Sequence, residues 1–227
     1  MTRDRTGPGT ADAMGFRYSA ILLLGPTGSG KTPLGECLER EGLAGRRCAH
    51  FDFGAELRAI AGSGRVPPGL RPADLGIILD SLRTGALLEN ETFFVARAIL
   101  ADFLARRRVG PRDWLVLNGL PRHVGQAADV DRIVAVRAVV LLECSAAAVA
   151  DRIRRDTGGD RAGRVDDTQA MIESKLALFR ARSLPLLDRY RAAGVQLAAV
   201  EVRANTPAAD LARGLSRRAG RWVDPSR

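Results

Sequence analysis

The run GPTGSGKT from Gly25 to Thr32 limits what this chain can fold into more than any other segment. It fits the pattern G-x-x-x-x-G-K-[ST], whose glycines let successive backbone N–H groups converge on an anion. The flanks agree with it. Tyr18 to Leu24 (YSAILLL) is a short apolar run bounded by polar residues and glycine, which predicts a buried strand, and Thr32 to Glu41 predicts a helix. In the order strand, glycine loop, helix, the helix N-terminus adds its partial positive charge where the loop amides meet. Pro33 is compatible with this because the first turn of a helix has no use for its missing N–H. An incidental glycine turn would need neither flank.

Lysine occurs only twice among the 35 basic residues, at Lys31 in this loop and at Lys175. In a chain that otherwise uses arginine, a compact ammonium on a flexible stem suits a place between two phosphates better than a planar guanidinium does. The pattern therefore assigns anion binding to Gly25, Gly28, Ser29, Gly30 and Lys31, and a metal-side hydroxyl to Thr32. The formal charge of +9 is spread among 26 acidic residues, and aromatics are only 5% of the chain. A small polyanion explains that excess as well as nucleic acid does, and an RNA-binding face is the weaker reading. The three cysteines lack metal or C-x-x-C spacing, the usage of a reducing compartment. The first sixteen residues have no apolar core, and no later run is long enough to span a bilayer. The expectation is a cytoplasmic monomer with no membrane or nucleic-acid partner. A mobile tail is expected over residues 1–16, and a weakly ordered one after Leu215, at 219–227.

The length fits one α/β domain. Four further apolar runs, Arg47 to His50, Trp114 to Asn118, Ala138 to Glu143 and Val195 to Val202, alternate with helix-like stretches, which predicts a five-stranded parallel sheet with helices on both faces. Gly54 to Arg108 reads as mainly helical, broken by the turn-rich Gly62 to Pro72. A helix from Ala146 to Asp156 leads into the loop TGGDRAG, and a longer helix begins near Val165. In such sheets ligands bind beyond the carboxyl ends of the strands, so both insertions are candidate covers.

A second constellation follows the third strand. In WLVLNGLPRHVGQ, Arg122 and Gln126 stand four residues apart at the start of a helix and share a face. A guanidinium forks onto phosphate oxygens, and an amide offers the donor and acceptor that read an adenine edge. The same two residues also suit an ordinary solvated helix.

Taken in order, these segments resemble the adenylate kinase family of nucleoside monophosphate kinases from about Ser19 to about Leu215. Besides the phosphate loop, NGLPRHVGQA (Asn118 to Ala127) is similar to the family's D-G-[FY]-P-R-x-x-x-Q-A signature. GAELR (Gly54 to Arg58) is similar to its G-D-x-L-R motif, GALL (Gly85 to Leu88) to G-[KR]-[LI]-V, and RVDD (Arg164 to Asp167) to the lid-exit R-x-D-D. The resemblance implies a P-loop core holding ATP and Mg2+, a helical monophosphate-binding flap at about 53–89, and a short lid at about 156–165 without structural zinc. Carried over by position, Arg58 and Arg122 grip the phosphate of AMP. Gln126 reads its base, and the backbone at Gly54, Ala86, Leu88 and Gly119 lines the acceptor site. Arg152 and Arg164 clamp the ATP phosphates, with Arg155 or Arg161 as a further contact, and Asp166 and Asp167 act as hinge partners for lid arginines.

Three positions depart from that pattern. Asn118 replaces an aspartate that orders the water shell of the metal. Phe53 replaces a threonine beside the base, where it either stacks on the nucleobase or packs in the flap core. Lys175 replaces an arginine directed at the transferring phosphate, or is a solvated helix lysine. His50 and His123 have no partner at triad or ligand spacing and read as structural. The function implied is ATP + AMP = 2 ADP. A UMP/CMP kinase is the nearest rival, and a catalytically weakened nucleotide sensor the alternative from another class.

Overall fold

The computed structural model describes residues 17–160 and 169–223. The expected N-terminal tail, Arg161, and the lid-exit residues Arg164, Asp166 and Asp167 lie outside the described residues. In chain order the elements are β1 (Tyr18–Leu24), α1 (Lys31–Glu41), β2 (Cys48–Asp52), α2 (Phe53–Ser63), α3 (Leu75–Thr84), α4 (Phe93–Arg106) and β3 (Trp114–Asn118). There follow α5 (Val124–Ile133), β4 (Val134–Glu143), α6 (Ala146–Arg154), α7 (Gln169–Leu178), a π-helical turn (Phe179–Ser183), α8 (Leu186–Ala192), β5 (Gln196–Glu201), α9 (Ala208–Ser216) and α10 (Gly220–Val223). The five strands are all parallel in the order β2-β3-β1-β4-β5. From β1 the chain crosses to the edge strand β2, returns through β3, and then runs out the other way through β4 and β5, so the loop after β1 lies at the switch point, where a crevice opens.

Alternation along the strands divides the core into two. On one side of the sheet, Ala20, Leu22, Leu24, Leu115 and Leu117 pack with the buried faces of α2, α4, α5 and α8. On the other, Ile21, Leu23, Trp114 and Val116 pack with α1, α9 and α10. β4 changes sides midway. Val134 and Val136 belong to the first core and Ala138, Val140 and Leu142 to the second, and the pairing with β1 slips between Ala20 and Ile21. A bulge at the exposed Arg137 produces this inversion, since one extra residue reverses which side chains face in. It also explains why β4 begins at Val134 and not at Ala138: the bulged arginine splits the apolar run.

The sequence reading needs two more corrections. β2 continues past His50 to Asp52, which brings its carboxylate to the functional edge of the sheet. The chain after Leu215 is no tail up to Val223, because α10 folds back and buries Ala219 and Trp222 in the second core. Burying an indole that size contributes ~2–3 kcal/mol, enough to hold a four-residue helix that propensity alone would not. No described helix is long and apolar enough to cross a membrane.

The insertion between β2 and β3 places α2 and α3 over the carboxyl edge of the sheet. Asp52 caps α2 by accepting from the Ala55 N–H at 2.9 Å. The turn between the two helices is anchored by Val66 and Leu70 packing on the first core.

Candidate active site

At the carboxyl edge a single cavity is lined by the phosphate loop (Gly25, Gly28, Gly30, Lys31, Thr32), by the flap (Phe53, Gly54, Arg58) and by Asn118, Gly119 and Arg122 after β3. Lys175, Phe179 and Ser183 close it from α7 and the π-helical turn. Four cationic side chains that are far apart in sequence, Lys31, Arg58, Arg122 and Lys175, therefore border one space.

The loop owes its shape to glycine. Gly28 and Gly30 have φ of 75° and 93°, where other residues are strained. A Cβ on Gly28 would also lie 2.8 Å from Ile153 Cγ1, and one on Gly30 2.9 Å from Arg152 Nη2. Lys31 Nζ donates to the carbonyls of Gly25 and Pro26, each at 2.7 Å, which folds the ammonium back across the loop's concave side. Ser29 is fully buried, its hydroxyl has no partner among the described residues, and it does not line the cavity.

Arg152 differs from the phosphate clamp expected of it. It is 5% exposed and absent from the cavity wall; Nε donates to Gly28 O at 3.1 Å, and Nη1 to the carbonyls of Arg203 and Thr206 at 3.0 and 3.1 Å. Most of its fork is spent on backbone oxygens, so it staples the phosphate loop to the β5–α9 connection. Burial pushes its guanidinium below the usual arginine range.

Arg122 lies on the cavity wall. Its guanidinium borders the cavity and is largely buried, and that burial pushes it down from the ordinary range. No carboxylate pairs with it among the described residues. Its backbone is held on both sides: the N–H donates to Gln126 Oε1 at 2.8 Å, and the carbonyl accepts from Ser183 Oγ at 2.6 Å.

Those bonds overturn the role expected of Gln126. The amide is fully buried, with its oxygen on the Arg122 N–H and its nitrogen on Leu88 O at 2.7 Å. Having spent both functions inside the protein, it does not reach the cavity. Leu88 O is shared with His123 Nε2 at 3.1 Å, which makes His123 the structural histidine its sequence context predicts. Ala86 is likewise engaged, its carbonyl by Ser81 Oγ and its N–H by Thr84 Oγ1. Gly85, Ser81 and Leu82 line the cavity where Ala86 and Leu88 were expected. Phe53 packs against Phe51, with ring centroids 6.0 Å apart, and also lines the cavity.

One functional candidate escapes the sequence reading. Asp52 Oδ2 accepts from Thr32 Oγ1 at 2.5 Å and from Asn118 Nδ2 at 2.8 Å, and Asn118 Nδ2 also lies 3.0 Å from Thr32 Oγ1. Asp52 and Asn118 are register partners at the ends of adjacent strands. A signal existed, an aspartate three residues before a helical N–H it could cap, but β2 had to be carried past His50 to use it. The oxygen-rich set of hydroxyl, carboxylate and amide suits a hard divalent cation such as Mg2+. No group of three or more His, Cys, Asp or Glu that could cage a metal occurs among the described residues.

Fold and loop together define a protein of the P-loop kinase class. No protein-family model matches the chain. It is 31% identical over 180 residues to the adenylate kinase of Prochlorococcus marinus strain MIT 9303, covering 77% of this chain and 86% of that one. It is 30% identical over 181 residues to the adenylate kinase of Synechococcus sp. strain CC9311, with the same coverage. A gluconokinase from Sinorhizobium meliloti 1021 shares the fold, with a TM-score of 0.52, 19% identity, and coverage of 93% of this chain and 100% of that one. The chain belongs to the adenylate kinase family.

Proposed function

We propose that this protein transfers the terminal phosphoryl group of ATP to a nucleoside monophosphate, with AMP as the acceptor, giving two ADP. The observation that carries the reading is the convergence of Lys31, Arg58, Arg122 and Lys175 on the cavity at the mouth of the phosphate loop. Two nucleotides bring about six negative charges together, and phosphoryl transfer asks the protein mainly for positioning and charge neutralisation. Lys31 and the loop amides receive the donor phosphates, Arg58 and Arg122 the acceptor phosphate, and Lys175 the group in transit. Arg152 is a positioning residue that keeps Gly28 and Gly30 in place. Mg2+, when bound, screens the donor phosphates, and Thr32, Asp52 and Asn118 are the residues that would hold it. No general base is required.

Family membership supports the class of chemistry, and the choice of AMP rests on the resemblance. With Gln126 withdrawn, base selection falls to Phe53, Leu57, Leu82 and the backbone at Gly85, an apolar wall with few hydrogen-bonding groups. That favours a broader acceptor range as a second reading, with CMP and UMP admitted beside AMP. A coupled assay of ADP formation from ATP with AMP, CMP, UMP and GMP tests both. Turnover fastest with AMP supports the proposal, comparable rates with the pyrimidines support the second reading, and ATP binding without turnover of any monophosphate would reject both in favour of a sensor.

A further inference from the structure

We infer that Asp52 is the carboxylate that orders the divalent cation at this site, and that Asn118 is its positioning partner. The inference rests on reading the cavity as a nucleotide kinase site. The family resemblance implies an aspartate at position 118, yet an amide stands there. The charge is not lost from the site; it is carried one strand over. Asp52 and Asn118 end neighbouring parallel strands as register partners, and both line the cavity beside Thr32.

The hydrogen bonds give each residue a different task. Asp52 Oδ1 takes the Ala55 N–H at 2.9 Å, which fixes the plane of the carboxylate, while Oδ2 takes the Thr32 hydroxyl at 2.5 Å and Asn118 Nδ2 at 2.8 Å. An aspartate at 118 would face Asp52 across that same short distance, and two carboxylates so close do not both ionise easily. Asn118 removes that conflict and donates to the oxygen it faces, so the acid at one strand end and the amide at the other form a complementary pair. Ordering partners of this kind typically change metal affinity by ~10–100-fold.

Mn2+ serves as the probe, its free concentration read by electron paramagnetic resonance in the presence of the full chain and a non-hydrolysable ATP analogue. Asp52→Asn keeps an oxygen for the Ala55 cap and should weaken Mn2+ binding by ~10–100-fold, while the analogue still binds in chelator. The double exchange Asp52→Asn with Asn118→Asp should restore Mn2+ affinity to within a few-fold. Wild-type Mn2+ affinity in Asp52→Asn, or an exchanged protein that remains as weak as the single variant, would overturn the inference. Should Asp52→Asn not fold, Asn118→Asp alone decides: its melting temperature should lie below wild type without cation and rise more than wild type with Mn2+. A response to Mn2+ no larger than wild type would overturn the assignment. A wild-type chain that binds no analogue would instead reject the kinase reading itself.

Discussion

The two halves of the cavity are built on different principles. The donor half is backbone: glycines at positive φ, the start of α1, and a loop stapled from behind by Arg152. The acceptor half is side chains, and their directions are set by partners distant in sequence. Arg122 reaches the cavity because Gln126 and Ser183 hold its peptide groups, whereas Gln126 is kept from it by doing so. Matches to one motif thus put Arg122 on the cavity wall and Gln126 behind it. A loop conformation is encoded locally, but the direction of an amide on a helix is not.

The largest effect should come from the donor half. Lys31→Met should lower turnover on the order of a thousandfold, with a small change in melting temperature, since its bonds to the Gly25 and Pro26 carbonyls stay within one loop. A loss of less than tenfold would mean the loop does not hold the reacting phosphates. In the acceptor half, Arg122→Met should cost on the order of a hundredfold in turnover and raise the KM for the monophosphate more than that for ATP. An equal rise in both would erase the division between the halves.

Gln126→Ala sharpens the comparison most. A base-reading residue would change monophosphate preference and leave stability alone. The structure predicts the reverse: a destabilisation of about 1–3 kcal/mol from the orphaned Arg122 N–H, seen in urea unfolding, with the order of preference among monophosphates kept.

How much of this was legible in the sequence follows the same division. β1, the loop, α1 and β3 could be read because their apolar runs and glycines specify local geometry. Asp52 could not, because β2 ends in alternating polar and aromatic residues, and only pairing with β3 extends it as far as Asn118. β4 was cut short by Arg137, whose bulge lets a charge leave an otherwise buried strand. Trp222 was missed because only the fold shows that the second core stays open until α10 closes it.

Two smaller effects test the packing behind the donor half. Replacing a mid-helix glycine with alanine ordinarily stabilises, but at Gly35 the new Cβ would run into the His50 ring. Gly35→Ala should therefore destabilise by about 1–3 kcal/mol in a denaturant melt. Burial holds the His50 imidazole below its ordinary 6.5, and its Nε2 has no partner among the described residues. As pH falls below 6.5 the unfolded chain gains a proton that the folded one refuses, so stability present above that pH is lost below it. The slope from this residue is at most ~1.4 kcal/mol per pH unit, and His50→Gln should flatten the acid limb of melting temperature against pH by that share.

The central claim is that one cavity receives two nucleotides end to end. Calorimetric titration of the whole chain with a compound joining two adenosines through a phosphate chain tests it most directly. The account predicts one molecule bound per chain, displaced by ATP and by AMP alike, and weakened by both Lys31→Met and Arg122→Met. Binding that only ATP displaces, and that Arg122→Met leaves unchanged, would contradict it.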